Sequence, residues 1–136
     1  MDTAFLYLTL SGVLTVLMWT PYILARLFVW GPLTFFGNYP PNFPAEEPTP
    51  PLWAQRAKRA HLNMVETMPA FIAVVLGVNY LAGDAAGPTI GLWAQIFFFA
   101  RIAHYVVYML GVPAVRTPIY LVSWAAILMI AAQALL

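Results

Sequence analysis

Four stretches of this sequence are apolar for long enough to cross a lipid bilayer, which takes about 20 mostly apolar residues per helix. They run from about Ala4 to Trp30, Ala60 to Leu81, Thr89 to Leu110 and Pro118 to Leu135. Only 8% of the 136 residues are charged, against roughly 25% in a soluble domain. So few charges cannot cover a globular surface, which excludes a soluble enzyme and a nucleic-acid binder and leaves an integral membrane protein. Strands of alternating polarity are absent, which argues against a β-barrel. The chain has no cysteine, so disulfides, thiolate metal sites and cysteine nucleophiles are excluded.

The first apolar stretch reads as a retained helix rather than a signal peptide. Asp2 stands where a signal would be basic, the run is too long, and Ala-x-Ala cleavage signals are missing. Pro21 predicts a kink or local break there, with neighbouring helices satisfying the freed carbonyl. The connection from about Gly31 to Gln55 carries Pro32, Pro40, Pro41, Pro44, Pro48, Pro50 and Pro51 and reads as extended or turn backbone. The other two connections, around Gly83–Pro88 and Gly111–Arg116, are short. Short connections make antiparallel neighbours, so the expected fold is an all-α, up-down four-helix transmembrane bundle forming one domain. Arg26, Arg56, Lys58 and Arg59 flank the first loop and Arg116 the third, while the second holds Asp84 and no basic residue. The positive-inside rule therefore places loops one and three in the cytoplasm.

Ionisable groups inside a span are costly and read as functional by default. On the second span Arg59, Asn63 and Glu66 stand at i, i+4 and i+7, one helix face. On the third, Arg101, His104 and Tyr108 stand at i, i+3 and i+7, and on the fourth Arg116, Tyr120 and Ser123 at i, i+4 and i+7. With the second helix starting near Ala60, Glu66 lies roughly 10 Å in and Arg101 roughly 14 Å from its own end, at 1.5 Å per residue. Similar depth predicts a Glu66–Arg101 ion pair. All three polar faces fall in the cytoplasmic half and the outer half is nearly all apolar, which favours a pocket over a channel. Arg59 and Arg116 offer forked donors for carboxylates, Glu66 accepts from an ammonium group, and Asn63, Tyr108 and Tyr120 add neutral hydrogen bonds. A zwitterionic molecule with more than one carboxylate matches this set, and a lipophilic co-substrate could enter sideways from the bilayer.

The stretch Arg56-Ala-Lys-Arg-Ala-His-Leu-Asn63-Met-Val-Glu66-Thr-Met-Pro69-Ala-Phe71 resembles the second-helix signature of the MAPEG family, membrane-associated proteins in eicosanoid and glutathione metabolism. Arg101-Ile-Ala-His104-Tyr-Val-Val-Tyr108 and Arg116-Thr-Pro-Ile-Tyr120 look like that family's third and fourth helices, closest in style to its microsomal prostaglandin E synthase branch and bacterial relatives. The resemblance implies a homotrimer with glutathione as cosubstrate, bound between subunits in a pocket built from helix two of one protomer and helices three and four of another. It implies that Asn63 and Glu66 contact the glutathione backbone and that His104 and Tyr108 line the same site. Arg116, Thr117 and Tyr120 would lie near the cysteine end or the carboxylates, with Arg59 and Arg101 as structural or pocket-lining arginines. Leu62 departs from the pattern, standing where eicosanoid-handling members often carry a basic residue.

A free thiol has a pKa near roughly 8.5, so a nearby cation or donor is needed to generate thiolate at neutral pH. Arg116 is the first choice for that role and Tyr120 the second, the thiolate attacking a lipophilic electrophile or hydroperoxide with no metal required. Blander roles compete: a purely structural Glu66–Arg101 pair, a capping or solvated His61, packing or belt roles for Tyr7, Tyr22 and Tyr105, and contact of Arg56, Lys58 and Arg116 with anionic head groups. Three function classes follow. The leading one is a glutathione-dependent membrane transferase or peroxidase. The others are a non-catalytic lipid-binding or scaffold member of the same fold and a small transporter or channel subunit. A bacterial inner membrane is expected over an endoplasmic reticulum.

Overall fold

Proline and glycine set every helix boundary that shapes the site. The computed structural model describes residues 3–37 and 48–135; Pro40, Pro41 and Pro44 lie outside them. The first span is two helices, α1 (Thr3–Leu17) and α2 (Thr20–Trp30), with Pro21 in the first turn of α2. Pro21 has no N–H to give back to the preceding turn. At the break the Met18 carbonyl accepts the Tyr105 hydroxyl at 2.9 Å, so a later helix satisfies it. Gly31, at φ 78°, then turns the chain into the short α3 (Pro32–Phe36).

Helix α4 (Leu52–Ala82) has 31 residues and starts eight residues before the expected Ala60. Proline disfavours helix in the residue before it, but not in those after it. Pro51 is the extended cap at ψ 150°, and the Gln55 side chain donates to the Pro50 carbonyl at 2.8 Å. Arg56, Lys58 and Arg59 therefore ride on the helix instead of in the loop. A 3-10 turn (Asp84–Ala86) leads into α5 (Gly87–Leu110), and α6 (Pro113–Ala132) follows after two residues. Pro113, pre-set for a first helical turn, starts α6 five residues before the expected Pro118, so Arg116 lies in its opening turn.

Helices α1–α2, α4, α5 and α6 provide four segments long and apolar enough to cross a membrane. The chain is an integral, multi-pass, all-helical membrane protein. Helix α5 is central, packing against α1, α4 and α6. Phe71 and Phe97, both without exposed surface, stack at 3.8 Å between centroids and 15° between planes, joining α4 to α5. Met64, Val75, Ile90, Ile127 and Ile130 extend this core. Small residues let α1 approach α5: a Cβ on Gly91 would stand 2.8 Å from the Thr3 Cβ.

The α5–α6 turn is fixed from both sides. Gly111, at φ 78°, donates to the Val107 and Tyr108 carbonyls, the left-handed ending that favours glycine. The Arg56 guanidinium of α4 occupies the space a Cβ on Gly111 would need. This contact brings the start of α4, the end of α5 and the start of α6 together at one end of the bundle. Gly111→Ala is expected to cost about 1–2 kcal/mol, from the left-handed backbone and the displacement of Arg56. Thermal or denaturant unfolding in detergent checks this, and unchanged stability would contradict it.

Candidate functional site

Arg101 is the largest fully buried side chain of the described residues. It stands on α5 between α4 and α6 and spends its donors on neutral acceptors. Nη2 donates to Asn63 Oδ1 at 2.8 Å, Nε to Met64 Sδ at 3.1 Å and Nη1 to Ser123 Oγ at 3.5 Å. Ser123 in turn donates to the Tyr120 carbonyl at 2.7 Å, and the Arg101 Cζ lies 5.7 Å from the Tyr120 ring centroid. One cation thus ties three helices at one level.

The expected Glu66–Arg101 ion pair is not formed; no such pair occurs among the described residues. Because α4 begins at Leu52, the residues level with Arg101 are Asn63 and Met64, and Glu66 lies almost a turn further along. The Glu66 side chain is exposed, whereas Arg101 has no exposed surface. Glu66 lines the cavity described below, and Arg101 is compensated by dipoles.

In front of this cluster lies a cavity of about 350 Å³. From α4 it is lined by Arg59, Leu62, Asn63 and Glu66, from α5 by His104 and Tyr108, and from α6 by Arg116, Thr117 and Tyr120. Of the nine residues that the family resemblance assigns to the site, eight share this wall. Arg101 does not: it lies behind the wall and positions Asn63 and Tyr120. The i, i+3/i+4, i+7 spacing turns each polar set to one face, and α5 holds the three faces together. Residues of α4, α5 and α6 of one chain share its wall.

The cavity wall is ready for a polar ligand. Asn63 Oδ1 is held by Arg101, which orients the amide and leaves its Nδ2 hydrogens for a ligand acceptor. His104 is buried, and its Nδ1 has no partner. Such an orphaned group costs about 1–3 kcal/mol unless something pairs with it. His104 contacts the Tyr108 and Tyr120 rings at 5.5 and 5.8 Å. The Arg116 guanidinium lies 5.1 Å from the Tyr108 ring centroid, which steadies an otherwise exposed cation over the opening. The wall carries the cations Arg59 and Arg116 against one carboxylate, Glu66.

A family model, MAPEG family, matches residues 3–136. The chain belongs to the MAPEG family. No curated protein matches it. MAPEG membership brings a general association with membrane-bound, glutathione-related transferase and peroxidase chemistry, and with non-catalytic members as well.

Sequence reasoning did not find the Met64 sulfur as an acceptor, since a methionine on an apolar face reads as packing. Leu62 entered as a departure from the family pattern; here it forms an apolar part of the wall beside Arg59. Asn63→Leu, which leaves Arg101 Nη2 buried without its acceptor, is expected to cost about 1–3 kcal/mol. Arg101→Lys should be destabilising too, because one ammonium cannot span three acceptors on two helices. Melting curves in detergent check both, and wild-type stability of either variant would argue against the tie.

Proposed function

We propose that the protein is a membrane-bound, glutathione-dependent transferase or peroxidase acting on lipophilic electrophiles, and that the cavity among α4, α5 and α6 holds the tripeptide. The observation that carries the reading is a charged cavity in an apolar bundle, with two arginines and one carboxylate on its wall. Glutathione brings two carboxylates, one ammonium and one thiol. Arg59 offers forked donors to a carboxylate, Glu66 accepts from the ammonium, and Asn63, His104, Tyr108 and Thr117 fix the peptide by neutral hydrogen bonds. A volume of about 350 Å³ falls within the range of small-molecule sites, roughly 300–1,000 Å³.

Arg116 is the group that stabilises the thiolate, with Tyr120 as a second donor. A nearby cation favours the charged form of the sulfur, and the thiol proton leaves to solvent through the exposed side of the cavity. In conjugation the sulfur lone pair forms an S–C bond as the electrophile's leaving group departs with its bonding pair. With a hydroperoxide an S–O bond forms as the O–O bond breaks, and the released alkoxide takes a proton from water. The electrophile arrives from the bilayer side, where the helices present apolar residues. MAPEG membership also supports assembly as a homotrimer.

Arg116→Ala tests the assignment with glutathione and a chlorodinitrobenzene in nanodiscs. Turnover should fall by about 10²-fold or more, the usual effect of removing one preorganised charge stabiliser, while glutathione affinity changes less than about threefold. Wild-type turnover in this variant would reject Arg116 as the thiolate partner.

A further inference from the structure

The polar face of α4 begins before the cavity does. Arg56, Arg59, Asn63 and Glu66 stand at i, i+3, i+7 and i+10 of one helix, so all four share a face. The last three line the cavity; Arg56 is not among its wall residues. Its half-buried side chain runs instead to the α5–α6 turn, where the guanidinium lies against Gly111 in the space a Cβ would take. We infer that Arg56 is a positioning residue, which seats this turn so that Arg116 stands over the cavity. The inference rests on the reading of Arg116 as the partner of the thiolate.

The turn joins two groups of the site by a short path. Tyr108 precedes Gly111 by three residues and Arg116 follows it by five, with only Gly111 and Val112 between the helices. Across this turn the Arg116 Cζ returns to 5.1 Å from the Tyr108 ring centroid. Arg116 is exposed, so its position follows from the turn that carries it rather than from packing around its side chain.

Gly111, at φ 78°, presents a face that bears only hydrogen, and the planar guanidinium of Arg56 fills it. A cation is also favourable there, because the carboxyl end of a helix carries partial negative charge. Without the guanidinium the turn would border a void, and a void draws its surroundings into partial collapse. A displacement of about 1 Å in a charge stabiliser can cost up to about 10²-fold in rate. Contact with head groups alone needs a side chain that reaches outward, whereas the seat on Gly111 turns Arg56 toward the bundle.

Arg56→Ala, Gly111→Ala, Lys58→Ala and Arg116→Ala test this in the full chain, in nanodiscs with glutathione and a chlorodinitrobenzene. Turnover and the titration of the bound thiol, read from the ultraviolet absorbance of the thiolate, are followed against pH. Arg59, Glu66, His104, Tyr108 and Tyr120, which face the same cavity, are unchanged in all four. Arg56→Ala should lower kcat about tenfold and move KM for glutathione less than about threefold. It should raise the thiol pKa toward its free value of about 8.5, as Arg116→Ala does. Gly111→Ala, which displaces Arg56, should do the same, and Lys58→Ala, which removes an exposed cation of the same helix, should match wild type. Arg56→Gln, which keeps part of the stem, is read in the same way where the alanine variant does not assemble. A merely structural Arg56 would lower the active fraction at every pH and leave the titration unmoved. A wild-type titration in Arg56→Ala beside a shifted one in Arg116→Ala would overturn the inference and leave the role of Arg116 intact. No shift in either would overturn both. A shift in Lys58→Ala as large as in Arg56→Ala would overturn the inference in favour of a general field of cations. Without glutathione, melting in detergent reads the seat itself. Gly111→Ala should lower the melting temperature less in an Arg56→Ala background than alone, and additive losses would overturn the seat.

Discussion

A guanidinium buried without a counter-ion is the interaction on which the polar end of this bundle depends. Removing a charge from water costs several kcal/mol even after relaxation, so Arg101 holds its place only because Asn63, Met64 and Ser123 supply acceptors from two flanking helices. That requirement sets the level of α4 and α6 against α5. It orients the Asn63 amide and, through Ser123, connects to the Tyr120 backbone. The two groups it positions lie on the wall of the cavity that Arg101 itself does not reach. Structural cost and functional geometry are thus joined in one side chain.

Two further constraints shape the same end. Gly111 allows α5 to stop abruptly and α6 to return after two residues. Arg56 reaches across from α4 to the space over that glycine. At the first span Pro21 breaks the helix, and Tyr105 donates to the buried Met18 carbonyl. In a bilayer no water is present to take that role.

Much of this was legible in the sequence, because a bilayer enforces simple rules. Span count and helix direction follow from apolar length and loop length. The gathering of Asn63, Glu66, His104, Tyr108, Arg116 and Tyr120 follows from helical periodicity once three antiparallel spans are laid side by side. The partner of Arg101 was not legible. It depends on where α4 begins, and a proline-rich approach reads as extended backbone until Pro51 is placed as the cap. A helix starting at Leu52 instead of Ala60 changes the depth of Glu66 and puts Asn63 opposite the arginine. The seat of Arg56 was equally hidden, since it too depends on α4 beginning at Leu52.

The central claim is that a charged tripeptide lodges among α4, α5 and α6. A cryo-EM map of the protein in nanodiscs with saturating glutathione tests it most directly. Tripeptide-shaped density against Asn63, Glu66 and Arg116 is the predicted result. Density for an acyl chain in that space, or glutathione bound only elsewhere, would contradict it.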